Sequence, residues 1–130
     1  MAYSQAFKDH ISNPRNSGQI ADATAVAEET NPVCGDRLRL SLRLDADRIE
    51  QAKFLAYGCP PTLVCGSVLT ELVLGKTIAQ ASLLTRNDVL DALGGLPSRK
   101  HHAAALAIET LHAAIRSIAA NHRSLTHVKD

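Results

Sequence analysis

Two cysteines of this chain lie in predicted turns, next to glycine or proline. Cys34 stands in the segment Asn-Pro-Val-Cys-Gly-Asp (31–36), and Cys59 stands in Tyr-Gly-Cys-Pro-Pro (57–61). Irregular backbone at the end of a rigid element commonly carries binding and reactive groups. Cysteine thiolates are nucleophiles and ligands for soft metals. The two turns therefore predict a metal or sulfur site.

Residues close to these cysteines offer further ligands. Asp36 follows Cys34 by two positions, and the flexible Gly35 between them lets a sulfur and an oxygen face one ligand. Cys59 precedes a proline that fits the first position of a helix, so its thiol is predicted at a helix N-terminus, where partial positive charge favours anions. Three cysteines in a reducing compartment favour metal binding or thiol chemistry over disulfides.

A basic loop before the last predicted helix supplies histidine. His102 is the preferred ligand, His101 is an alternative, and Lys100 either pairs with Asp36 or is a solvated charge. Cysteine, histidine and carboxylate together suit zinc or iron, with tetrahedral geometry as the default. The other histidines, at positions 10, 112, 122 and 127, are predicted at the surface.

Cys65 has two interpretations. It follows Cys59 by six residues and could be a displaced third sulfur. It also shares a helical stripe with Leu69 and Leu72, as a buried cysteine does. We favour the core position and keep Cys65 only as a supporting candidate.

The hydrophobic pattern predicts an α+β fold with a small antiparallel three-stranded sheet. Between positions 37 and 44 leucines alternate strictly with arginines and a serine, which indicates a half-buried strand with a solvated outer face. The predicted partner strands are 49–57 and, less clearly marked, 23–30. Helices are predicted over 3–11, 60–74, 77–84, 87–93 and about 100–121, the last being the longest. We expect one domain over 1–130, with 122–130 as a frayed tail.

Composition limits the functional classes. The chain has 130 residues, is 45% hydrophobic and carries a net charge of +1, with two Tyr, two Phe and no Trp. These values give no reason to expect nucleic-acid binding. Neither a membrane span nor a signal peptide is predicted, which indicates a cytoplasmic protein.

With these segments in place, the chain resembles the NifU/IscU-type iron-sulfur cluster assembly scaffolds over nearly its whole length. The resemblance rests on short motifs that follow one another in the family's order. They are Tyr3-Ser4, Asn13-Pro14-Arg15-Asn16, Gly18, Cys34-Gly35-Asp36, Tyr57-Gly58-Cys59, Thr70-Glu71, Gly75-Lys76, Leu96-Pro97, Lys100 and His102.

The resemblance implies a ligand set. In the family, three cysteines and an aspartate surround a nascent cluster or zinc, with a histidine next to the third cysteine. Residue by residue, the set becomes Cys34, Asp36, Cys59 and His102, whereas the third cysteine is replaced by Ala103. These four side chains suffice for zinc or for a transient [2Fe-2S] cluster, because histidine can replace cysteine on iron.

The resemblance also implies partners. A scaffold of this kind receives sulfur from a cysteine desulfurase and passes its cluster to apo iron-sulfur proteins, without being an enzyme in the usual sense. The family's chaperone motif Leu-Pro-Pro-Val-Lys reads Leu-Pro-Ser-Arg-Lys here (96–100), which makes a specialised Hsp70-type chaperone doubtful.

Because the third cysteine is implicated in accepting sulfur, Ala103 leaves two alternatives open. One is a zinc-dependent sulfur acceptor for the desulfurase. The other is a degenerate family member that acts as a binding module.

Overall fold

The chain forms a small sheet covered by helices. The structure is a computed structural model that describes the backbone of residues 3–129 and the side chains of residues 3–118. In chain order the elements are α1 (Gln5–Ser12), β1 (Ala25–Thr30), β2 (Arg37–Asp45), β3 (Arg48–Tyr57), α2 (Pro60–Val73), α3 (Ile78–Ala81), α4 (Arg86–Ala92), a 3-10 turn (Ser98–Lys100) and α5 (His101–Lys129). The predicted α+β class and the long last helix are confirmed.

The sheet is antiparallel, in the order β1-β2-β3. Its inner face is the predicted leucine face, since Leu38, Leu40 and Leu42 are all fully buried. The arginines of the outer face pair with acidic groups, as in the contact of 3.0 Å between Arg43 Nη1 and Asp22 Oδ1. The alternation therefore separates a core face from a charged face, as predicted.

The helix α2 packs unusually close to the sheet because of Gly66. A Cβ atom at this position would lie 2.6 Å from Phe54 Cδ2 and 2.9 Å from Leu38 Cδ1, closer than such atoms approach one another. Any larger residue would push α2 away from β2 and β3. This close packing fixes where α2 begins, and therefore where Cys59 lies.

A buried polar network ties the N-terminal segment to α2. His10 lies 2.7 Å from Ser67 Oγ through Nδ1 and 3.3 Å from Glu71 Oε1 through Nε2. The backbone N–H of Arg15 also donates to Ser67 Oγ, at 2.8 Å. The predicted surface position of His10 is therefore wrong: only 7% of the residue is exposed, because α1 lies against α2.

The helix α5 is longer than predicted. Its backbone is helical from His101 to Lys129, beyond the predicted end near residue 121. The predicted fraying of residues 122–130 stays a prediction. No proline or glycine interrupts this stretch, and each added residue extends a helix already nucleated. The side chains beyond Ile118 lie outside the described residues, including the histidines at 122 and 127. None of the helices among the described residues combines the length and the hydrophobicity that a membrane span requires.

The His10 network predicts a pH dependence of stability. Burial and the positive charge of Arg15 lower the pKa of His10 from its ordinary value of 6.5, although Glu71 and Asp9 act in the opposite direction. The unfolded chain therefore binds this proton more readily than the folded protein. The free energy of unfolding should fall as pH drops from about 7.5 to 5.5, by less than about 1.4 kcal/mol per pH unit.

Urea unfolding at these two pH values, with a His10→Gln variant in parallel, measures the effect. The variant should have a smaller slope of stability against pH. An equal slope in both proteins would assign the dependence to other groups.

Candidate metal centre

Three separate parts of the chain meet at one end of the molecule. The turn before β2 carries Cys34 and Asp36. Cys59 lies directly before α2, and His102 lies in the first turn of α5. One ligand atom each from Cys34, Asp36 and His102 lies within 4.8 Å of the other two. Zinc binds such atoms at about 2.0–2.3 Å, so small movements would bring all three onto one ion.

The turn that carries Cys34 is closed by its own hydrogen bonds. The side chain of Asn31 accepts hydrogen bonds from the backbone N–H groups of Val33 and Cys34, at 2.9 and 3.3 Å. The backbone N–H of Asn31 donates to the carbonyl of Asp36 at 2.8 Å. Cys34 is thereby held at an exposed turn, beside a cavity of about 350 Å³ that His102 and Arg99 also line.

Asp36 is the buried centre of the site. Its Oδ2 accepts hydrogen bonds from the Cys59 thiol at 2.8 Å, the Thr62 hydroxyl at 2.7 Å and the Cys59 backbone N–H at 3.4 Å. Burial raises the pKa of Asp36, but the hydrogen bonds from Cys59, Thr62 and Cys34 outweigh it, so that the pKa lies below its ordinary value. The carboxylate is therefore ionised and able to bind a cation.

The other carboxylate oxygen of Asp36 lies against Gly58. A Cβ atom at Gly58 would be 2.2 Å from Oδ1 and 3.0 Å from the Cβ of Asp36. Gly58 also has a φ of +145°, which side chains rarely adopt. Glycine is thus required at position 58 for two reasons. A side chain would collide with the Asp36 carboxylate, and the backbone has a φ that favours glycine.

His102 has the hydrogen bonding of a metal ligand. Its Nδ1 lies 3.1 Å from the carbonyl oxygen of Arg99, and since a carbonyl only accepts, the proton is on Nδ1. Its Nε2 is buried and has no hydrogen-bond partner among the described residues. A carbonyl that accepts a hydrogen bond from the other ring nitrogen is typical of metal-binding histidines. The residues present therefore fit a metal or cluster.

The supporting candidates differ from His102. His101 Nε2 lies 2.9 Å from the carbonyl oxygen of Leu96, to which it donates, so this histidine closes the loop before α5. Cys65 is fully buried, and burial together with Cys59 raises its pKa to about 12. Lys100 takes part in none of the ion pairs found among the described side chains.

Cys59 contacts this cluster only through Asp36 among the described hydrogen bonds. Its thiol contacts Asp36, but the three-residue group of mutually close ligand atoms does not include it. Ala103, which follows His102, is fully buried in the core. The sequence-based prediction did not include Thr62 among the site residues. The signal that could have identified it is its position in the first turn of α2, three residues after Cys59.

Comparisons with known proteins identify the family to which this chain is similar. The model of the NifU-like N-terminal domain matches residues 2–124. The iron-sulfur cluster assembly scaffold protein IscU 1 of Archaeoglobus fulgidus is 44% identical over 113 residues, which are 87% of this chain and 74% of that protein. The zinc-dependent sulfurtransferase SufU of Bacillus subtilis is 40% identical over 84 residues, 65% of this chain and 56% of that protein.

A solved structure has the same fold. It is a Fervidobacterium islandicum protein assigned provisionally to iron-sulfur cluster assembly in the SUF system. It is similar to this chain with a TM-score of 0.72 and 25% identity, over 87% of this chain and 96% of that one.

Gly58→Ala should damage the site beyond its effect on the backbone. The new methyl group would displace Asp36, so we expect zinc affinity to fall at least ~10-fold, the lower end of what outer-shell changes cost. Backbone strain should also lower the free energy of unfolding, by about 1–3 kcal/mol. Zinc competition with a chelator and urea unfolding measure the two effects.

Gly75→Ala is the matched control, because Gly75 has a φ of +82° and no atom within 4 Å of its Cβ position. It should lose stability and keep zinc affinity. Equal zinc affinity in both variants would contradict the role given to Gly58.

Proposed function

This chain belongs to the NifU-like N-terminal domain family, and on that premise we propose that it is an iron-sulfur cluster assembly scaffold or carrier. It holds a nascent [2Fe-2S] cluster, or zinc, through Cys34, Asp36, Cys59 and His102, and transfers the cluster to apo iron-sulfur proteins. The observation that carries this proposal is that a ring nitrogen of His102 lies within 4.8 Å of ligand atoms of Cys34 and Asp36. In addition, His102 Nε2 is buried and has no hydrogen-bond partner among the described residues.

The mixed ligand set suits temporary binding. Thiolates are strong ligands for soft cluster iron, and histidine can take the place of a cysteine. A carboxylate oxygen is harder and a poorer partner for such iron. Asp36 would therefore favour release of the cluster, while the two cysteines and His102 hold it.

The exposure of the Cys34 turn suits a protein partner. Cys34 is exposed, and the neighbouring Val33 has 94% of its surface exposed, so a partner can reach this turn. We propose that a cysteine desulfurase docks at this turn to deliver sulfur. As a scaffold, the chain has no catalytic turnover of its own. Its three free thiols suit a cytoplasmic location, where disulfides are rare.

A second function is favoured by one observation. Ala103 lies in the core, at the position where the family's third cysteine is expected. Of the three cysteines that are present, Cys34 is exposed, Cys59 is partly buried and Cys65 is buried. A zinc-dependent sulfur acceptor needs an exposed thiol, and the similarity to SufU supports it. Stimulation of desulfurase turnover with zinc bound and no cluster formed would distinguish this function from the scaffold.

The scaffold function predicts that cluster binding depends on the turn cysteine and the histidine. Cys34→Ala and His102→Ala should each lose most of the iron and sulfide acquired from iron, cysteine and a desulfurase under anaerobic conditions, because each removes a ligand. Charge-transfer absorption and metal analysis measure this. Cys65→Ala is the matched control and should retain the cluster, since Cys65 is a core residue. Full loading of the Cys34→Ala variant would show that Cys34 is not a required ligand, whereas a wild-type protein that acquires neither iron nor zinc would favour a binding module without metal chemistry.

The role of Ala103 is tested with the variant Ala103→Cys. If the wild-type protein is loaded to a similar iron content, then two cysteines, Asp36 and His102 suffice. If only the variant forms a cluster and the wild-type protein keeps zinc, the sulfur-acceptor function replaces the scaffold.

A further inference from the structure

A buried hydroxyl group contacts the site from the first turn of α2. Thr62 is fully buried, and its hydroxyl donates to Asp36 Oδ2 at 2.7 Å. The same oxygen lies 3.6 Å from the sulfur of Cys59. Both polar partners of this hydroxyl are thus predicted ligands.

Other buried threonines in helices of this protein behave differently. The hydroxyl of Thr70 donates to the carbonyl of Ser67, and that of Thr110 donates to the carbonyl of Leu106, both at 2.7 Å. A bond to a backbone carbonyl in the preceding turn is the usual arrangement for threonine in a helix. Among the described hydrogen bonds, the Thr62 hydroxyl makes none to the backbone of α2. Its contacts therefore indicate a role at the site.

The Thr62 hydroxyl makes the shortest of the three hydrogen bonds to Asp36 Oδ2. It is 2.7 Å long, compared with 2.8 Å for the Cys59 thiol and 3.4 Å for the Cys59 backbone N–H. Gly58 limits the movement of Oδ1 on the opposite branch of the carboxylate. The orientation of the carboxylate therefore depends on Thr62 as well as on Cys59.

We propose that Thr62 is a positioning residue, which fixes the orientation of Asp36 and thereby sets how tightly the site holds its metal or cluster. This inference rests on the proposed function. The hydroxyl binds no metal itself, and it acts through a carboxylate whose two oxygens are otherwise held by Cys59 and Gly58. Outer-shell partners of this kind typically change metal affinity 10–100-fold.

The test compares zinc affinity, by chelator competition, in variants that differ by one hydroxyl. Thr62→Val keeps the shape of the side chain and should bind zinc at least ~10-fold more weakly. Thr62→Ser restores the hydroxyl and should bind nearly as the wild type does. Thr110→Val is the matched control: it removes a buried hydroxyl from α5 and should leave zinc affinity unchanged.

Two further measurements separate positioning from folding. The melting temperature of each metal-free variant reports any general loss of stability, and the absorption spectrum with Co²⁺ reports a change in ligand geometry. The spectrum should change in Thr62→Val and not in Thr110→Val. If Thr62→Val does not fold, the pair Thr62→Ser and Thr62→Ala makes the same comparison in a smaller side chain.

Wild-type zinc affinity and an unchanged Co²⁺ spectrum in the variant lacking the hydroxyl would overturn the inference and leave the proposed function intact. A wild-type protein that binds neither zinc, Co²⁺ nor a cluster would instead overturn the proposed function, and the inference with it.

Discussion

The buried carboxylate of Asp36 is the constraint on which the site depends. A buried charge is costly unless hydrogen bonds or an opposite charge compensate for it. Here the compensation comes from Cys59 and Thr62 at the start of α2, and from Cys34 in the same turn. The carboxylate therefore joins the start of β2 to the start of α2. Both predicted cysteine ligands contact it.

The packing of the core makes this junction possible. Because Gly66 lets α2 approach Phe54 and Leu38, the first turn of α2 is placed by the sheet. The network of His10 and Ser67 ties the same helix to α1. The polar contacts at the site are thus supported by a rigid framework, while the Cys34 turn stays exposed.

Much of the fold followed from local patterns in the sequence. The leucine alternation of β2 identified both faces of the sheet, and the prolines after Cys59 marked the start of α2. The burial of His10 did not follow, because it depends on Ser67 and Glu71, more than fifty residues away along the chain. The end of α5 was misjudged since the apolar stripe stops before the helix does.

For the site, residue types predicted a ligand set but could not give its geometry. Two adjacent histidines are equivalent by composition, yet the carbonyls of Arg99 and Leu96 give them different roles. Thr62 is an unremarkable helix residue until the approach of Asp36 is known. Likewise, the glycine at 58 suggested a turn, whereas its contact with a carboxylate required the folded chain.

The predicted ligands come from three segments that are far apart in the sequence, so a bound cargo would cross-link the chain. Cys34 and His102 are separated by about 68 residues, so any cargo that they hold together closes a long loop. Such a cross-link restricts the unfolded ensemble, and the cost of closing a loop grows only slowly with its length. Binding would therefore stabilise the folded protein against unfolding. Each transfer of the cargo to another protein would remove that stabilisation.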